Sequence, residues 1–323
     1  MKNKRNPEVV ATALICFGLI MMVLWVYYSA VFGEKAPEKK KEISVVLYDA
    51  GDGGWESLME GMKQAEEDFA VSIHYVTMKA GVTGEEQIKV VQQELEDGAA
   101  GVLLAAVDAE MIPQEIQDGN AQVPIVAVES SADAATYSFF SADNADMGRT
   151  LGEEILKDFA GDDVIKVVVV EEYIERDSVR ERAQGLYEVL EGSAEVIPVR
   201  RTNDKVELSL FLSNILTRSE ADVVVALNKE SLQALCEANR EALKDKEVYG
   251  IGNTASIVAA LEKGKIEKLV FQDEFNIGYM SVKALVQQME GIRNNAEEID
   301  FYCVERDEVH KTLYERLLFP IVE

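Results

Sequence analysis

Asp49-Ala-Gly-Asp-Gly-Gly-Trp55 joins two segments of different period. Before it lies Ile43-Ser-Val-Val-Leu-Tyr48, a short apolar run rich in β-branched residues; after it lies 56–69, where Leu58, Met62, Ala65 and Phe69 recur at helical spacing. A glycine-rich bend at the carboxyl end of the first strand is where α/β folds bind small ligands. This bend also carries Asp52 and Trp55, the only tryptophan outside the N-terminal apolar segment. The expectation is one wall of a ligand cleft.

Outward from the bend, strand-like and helix-like segments alternate to the end of the chain. Apolar runs fall at 43–48, 71–78, 101–107, 124–129 and 137–141, and then, after the break at Gly161-Asp-Asp163, at 164–170, 195–200, 222–227, 248–251 and 268–271. Amphipathic stretches separate them at 84–97, 147–159, 179–190, 206–216 and 231–243, the first opening on Thr83 and Glu86 as a capping box. This alternation predicts parallel sheets covered by helices on both faces, in two halves of five strands each. At the carboxyl ends of the predicted strands stands a polar series: Asp49, Asp52, Asp108, Glu129, Asn228, Asn253, Gln272 and Asp273, with Arg176, Arg180 and Arg182 after the sixth run. Amides and carboxylates in such a series suit a hydroxyl-rich ligand, and a tryptophan offers a flat apolar face to a sugar ring.

Several chemistries are excluded. The third glycine of GxGxxG falls on Glu56, and Asp52 inside the bend repels a pyrophosphate. No phosphate-binding GxxxxGK[ST] occurs, and Gly51 and Gly53 stand where a calcium loop needs acceptors. With two histidines, His74 in a predicted half-buried strand position and His310 near the C-terminus, and no GxSxG, there is no catalytic constellation, so neither enzyme activity, cofactor nor metal is expected. Cys236 and Cys303 sit in apolar settings as free thiols, without metal-ligand spacing.

The chain has 323 residues and a net charge of −27. Residues 43–323 hold 25 basic against 55 acidic side chains, a surface that repels nucleic acid. Residues 9–32 form an uncharged run of 24, long enough as a helix for a bilayer core of about 30 Å. Lys2, Lys4 and Arg5 precede it, and Trp25, Tyr27 and Tyr28 lie near its far end, which favours a single-pass anchor with its N-terminus inside. The alternative is a cleaved signal peptide, whose apolar region is normally about 7–15 residues. The expected order is a cytoplasmic N-terminus over 1–8, an anchor over 9–32 and a linker over 33–42.

Six motifs recur in a family's order: Trp55-Glu-Ser-Leu-Met-Glu-Gly61; Ser141-Ala-Asp-Asn144 with Gly148; Ser178-Val-Arg-Glu-Arg182 with Gly185; Asn228; Gly250-Ile-Gly-Asn-Thr254 followed by 261–264; and Gln272-Asp-Glu-Phe-Asn-Ile-Gly278. On these the chain from Ile43 to about residue 305 resembles the periplasmic sugar-binding proteins of the ribose/galactose type, which share their fold with the ligand-binding core of the lactose-repressor regulators. The resemblance implies two doubly wound parallel-sheet lobes of an α/β fold, joined by a hinge (the type I periplasmic binding protein fold). One lobe would span 43–143 and 273–300, the other 144–272 and 301–323. It places ligand contacts at Asp52, Trp55, Glu129, Arg182, Asn203, Asn228 and Gln272, with Asn253 beside them in the polar series. Departures from ribose binders at Gly54, Ser130, Asn203 and Gly252 leave the ligand as sugar-like rather than ribose. The implied function is extracytoplasmic capture of a sugar or polyol by lobe closure, for a membrane ABC permease. The alternative is a receptor reporting to a membrane histidine kinase or chemoreceptor.

Overall fold

The structure is a computed structural model that describes residues 7–32, 40–108, 123–129, 138–161, 164–202, 205–292 and 299–319. It divides into two units, Met1–Lys40 and Lys41–Glu323. The first carries helix α1 (Pro7–Phe32), whose side chains are described over 16–28 and are all exposed. Among the described residues no helix is long and apolar enough to cross a membrane. Of the expected linker, 33–39 lie outside the described residues.

In the second unit, β1 (Glu42–Leu47) is buried from its second residue onward because it lies between β2 (Ser72–Thr77) and β3 (Val102–Leu104). With β4 (Ile125–Val128) and β5 (Ser138–Phe140) they form a parallel sheet of order β2-β1-β3-β4-β5. A second sheet holds β6 (Ile165–Val170), β7 (Ala194–Val199), β8 (Val223–Ala226), β9 (Glu247–Ile251), β10 (Lys268–Gln272) and β11 (Phe301–Glu305). Its order is β11-β10-β9-β8-β6-β7, so the five parallel strands repeat the order of the first sheet and β11 adds an antiparallel edge to β10. The sequence expectation of five strands in each half misses β11, an antiparallel strand at the edge of the second sheet. In each sheet the order reverses beside the first strand, and the crevice at the carboxyl ends there is the ligand position of a doubly wound fold.

The helices are α2 (Glu56–Asp68), α3 (Gly84–Glu96), α4 (Asn144–Asp158), α5 (Asp177–Leu190), α6 (Leu208–Leu216), α7 (Lys229–Glu237), α8 (Ala255–Glu262), α9 (Glu274–Met289) and α10 (Thr312–Leu318). The Thr83–Glu86 capping box is formed at the start of α3. α7 is shorter than its periodicity suggests, because the Asn239 side chain accepts from the Ala242 amide and turns the chain instead. Both faces of both sheets are covered: Val45 and Leu47 pack with Leu58, Met62 and Ile277, while Val46 packs with Val91 and Leu95. In the second sheet Val167 and Val169 pack with Met147 and Leu151, and Val168 and Val170 with Leu212 and Leu235. α4 and α5 touch backbone to backbone; a Cβ on Gly148 would lie 2.0 Å from the Arg182 carbonyl oxygen, and one on Gly185 2.0 Å from that of Ala145. α9 leaves the second sheet and packs on the first, and β11 returns. The three crossings are tied together: Gln272 Oε1 accepts from the Ala142 amide at 3.1 Å, and the Asp273 amide donates to the Asp300 carbonyl at 3.1 Å.

Candidate functional site

The glycine bend is a tight coil. Gly51 and Gly53 have φ of 76° and 69°, the left-handed region open to glycine, and the Gly54 amide donates to the Gly51 carbonyl. This coil turns Trp55 inward, so that its indole Nε1 donates to the Tyr48 carbonyl at 2.6 Å and its ring meets the edge of the Tyr48 ring at 4.9 Å between centroids. Trp55 is buried, with Lys229 Nζ 5.4 Å from its ring centre. Asp52 is exposed, and its backbone carbonyl accepts from Gln233 Nε2 on α7 of the second lobe.

Glu129 directly follows β4 with a φ of 64°, a conformation rare for a residue bearing a side chain. Its carboxylate accepts from the Tyr48 hydroxyl and lies 3.4 Å from Arg182 Nη2 of the second lobe. Burial pushes the Glu129 carboxyl up, but Arg182, Lys229, the Tyr48 hydroxyl and Arg176 together hold it below the ordinary range. Arg182 is fixed on its other edges, donating to Asn144 Oδ1 at 2.8 Å and to the Leu227 carbonyl at 3.1 Å. Burial raises the Tyr48 hydroxyl well above its usual value, and Glu129 raises it further.

A second pair crosses between the lobes beside the first. Lys229, the first residue of α7, pairs with Glu274, the first residue of α9, and donates to the Gly54 carbonyl at 2.5 Å. Burial raises the Glu274 carboxyl, and Lys229 offsets only part of this. Arg176 of the second lobe lies over the Tyr48 ring at 3.6 Å and the Tyr173 ring at 4.1 Å, and pairs with Glu230 at 2.5 Å. Its Nε has no hydrogen-bond partner among the described residues.

Between the lobes remains a cavity of about 10 Å³, about one water, lined among others by Glu129, Arg182, Lys229, Asn253, Gln272 and Glu274. Four of the expected site residues therefore meet: Glu129, Arg182, Asn253 and Gln272. Trp55 packs behind the bend and Asp52 sits on its exposed rim. Asn228 caps α7, accepting from the Ser231 amide and donating to the Glu172 carbonyl, so both ends of its amide are in use. Asn203 and Ser130 lie outside the described residues. Tyr48, Lys229, Glu230 and Glu274 complete the cluster without having been singled out from the sequence. Two larger depressions are lined by other residues: about 570 Å³ bounded by the bend, α2 and β2, and about 810 Å³ between α5 and β7. Neither gathers charged groups from both lobes, whereas the interlobe cluster does.

Among the described residues no catalytic arrangement accompanies this cluster. His74, expected to be half-buried, is exposed, because β2 is an edge strand, and it stands 4.0 Å from Glu94. His310 is exposed beside Glu262. Cys236 and Cys303 are free, partly buried thiols pushed up to about 11 and about 12 by burial. Among the described residues no group of His, Cys, Asp and Glu could hold a metal ion.

No curated protein matches the chain. Among solved structures, a carbohydrate transporter solute-binding protein from Agrobacterium radiobacter in complex with D-arabinose has a TM-score of 0.79 at 19% identity, covering 87% of this chain and 99% of that one. An ABC transporter solute-binding protein from Agrobacterium vitis with bound D-fucose has a TM-score of 0.77 at 17% identity, covering 86% and 100%. A chain of a XylFII–LytSN complex has a TM-score of 0.71 at 15% identity, covering 83% and 99%. At such identities these likenesses show the fold, the type I two-lobe arrangement. The model of the periplasmic binding protein domain matches residues 43–293, and the chain belongs to that family, one of solute-binding proteins rather than enzymes.

Proposed function

We propose that this chain is a membrane-anchored, extracytoplasmic solute-binding protein that captures a sugar or sugar-like ligand between its lobes and delivers it to an ABC permease. The observation that carries the reading is the interlobe cluster. Arg182 and Lys229 from one lobe face Glu129 and Glu274 from the other, at the carboxyl ends of both sheets. Gln272 and Asn253 line the same cavity and can donate to or accept from hydroxyls. The relatives with D-arabinose and D-fucose support a sugar as ligand. The lobes are assigned to 43–143 with 273–300 and to 144–272 with 301–323. Their hinge is the set of three crossings tied by Gln272–Ala142 and Asp273–Asp300. Ligand contacts that exist only when both lobes meet favour the closed form by that difference in affinity. The uncharged run at 9–32 and the basic residues before it support the anchor and the outward placement of the domain.

A second reading has its own support. The XylFII–LytSN complex pairs a chain of this fold with another protein, and an anchored domain suits a receptor reporting to a membrane histidine kinase. The two readings part on the partner. The full chain, purified with its cross-linked membrane complexes, should carry a permease subunit; recovery of a kinase without a permease would favour the receptor. Resistance of the N-terminal segment to cleavage, read by mass spectrometry of the membrane-bound chain, tests the anchor.

A further inference from the structure

The charged groups that line the interlobe cavity are sorted by lobe. Both cations, Arg182 and Lys229, come from the second lobe, and both carboxylates, Glu129 and Glu274, from the first. They sum to zero, and each side chain is at most 8% exposed. Lys229 is also misplaced by local rules. It occupies the first position of α7, where the helix dipole disfavours a cation, and its sequence neighbour Glu230 has the sign that position favours. A residue that breaks a local preference while reaching across a cleft is one held there by the site.

We propose that Lys229 and Glu274 set the charge of the ligand this cleft accepts, restricting it to a hydroxyl-bearing compound with no net charge. The proposal rests on the sugar-binding reading above and narrows it. A hydroxyl entering between Lys229 Nζ and Glu274 Oε1 accepts from the ammonium and donates to the carboxylate, so both stay satisfied. A ligand carboxylate would face Glu129 and Glu274 on one wall and leave the enclosed set with an unmatched negative charge. A ligand ammonium would leave an unmatched positive one. Unmatched buried charge is among the most unfavourable arrangements a protein interior can hold.

The test uses the full chain in detergent, titrated calorimetrically with two matched series: glucose, glucuronate and glucosamine, and galactose, galacturonate and galactosamine. The wild type should bind a neutral member more tightly than its acidic and amino counterparts. Glu274→Gln leaves a net positive wall and should raise the ratio of uronate to neutral-sugar affinity by at least about tenfold. Lys229→Gln should raise the amino-sugar ratio by a similar factor. Ratios within one variant are unaffected by the fraction that is folded, and the exchange Lys229→Glu with Glu274→Lys, which restores the pair, should return the wild-type preference. If a neutral sugar binds but neither single variant moves its ratio, the charge inference fails while the sugar reading stands. If no sugar binds the wild type, both fall.

Discussion

Arg176 places its guanidinium 3.6 Å over the ring of Tyr48, joining the second lobe to the first through a cation on an aromatic face. The guanidinium also lies 4.1 Å from the centre of the Tyr173 ring, and Glu230 takes its Nη1. Replacing Arg176 by alanine leaves the mostly buried Glu230 without its counter-ion and uncovers both rings, a loss of up to about 3–5 kcal/mol. Arg176→Lys keeps the charge but lacks the planar guanidinium that lies against both rings, so it should recover only part of the loss. Urea denaturation of the three proteins checks the order; equal stability of wild type and alanine variant would mean that Arg176 does not hold the two lobes together.

Acid stability should divide the two cleft carboxylates. Glu129 is held below its ordinary 4.5, so the stability it contributes is present above that value and lost as pH falls through the lowered one. Glu274 is raised, so its contribution is present at low pH and lost as pH rises through the raised value. Urea midpoints measured from about pH 3 to pH 7 should therefore fall less steeply towards acid in Glu129→Gln than in the wild type, and more steeply in Glu274→Gln. Parallel curves for all three would contradict the assignment.

Gly148 bears on the site through backbone alone. An added Cβ would lie 2.0 Å from the carbonyl oxygen of Arg182, the residue that reaches Glu129. Gly148→Ala must push α4 from α5 and should lower stability by about 1–3 kcal/mol or more. It should also weaken sugar binding beyond what the loss of folded protein explains. Unchanged affinity per folded molecule would mean that Arg182 does not bind from this position.

Much of the fold could be read in advance. The Val-rich runs of β6 and β8 are continuous because both faces of a central parallel strand are buried. The motif glycines Gly148 and Gly185, and likewise Gly61 and Gly278, could be noticed in the sequence because each lets two helix backbones touch. β11 escaped because an antiparallel strand that closes an edge breaks the strand–helix rhythm. In the site, Arg182 and Gln272 were legible from their motifs. Glu274 was not, since an acidic residue after the Asp273 cap looks like ordinary dipole compensation. Lys229 carried the opposite sign at the same kind of position, and that anomaly was the available signal. Trp55 offered a ring for a sugar, but its indole N–H is taken by Tyr48 within the same bend, and the ring packs behind the loop. The direction in which the bend turns this ring is set by its hydrogen bond to the Tyr48 carbonyl, and a linear sequence does not display that bond.

Arg182 and its neighbours should bind a neutral sugar between the lobes. The direct measurement is calorimetric titration of the full chain, and of Arg182→Ala alongside it, with D-arabinose, D-fucose, glucose, galactose and simple polyols. The expected result is saturable binding of at least one compound by the wild type. The alanine variant should bind it at least about tenfold more weakly, as removal of a buried charged contact predicts. Binding undiminished in Arg182→Ala, or no binding of any compound to the folded wild type, would contradict sugar binding at this cluster.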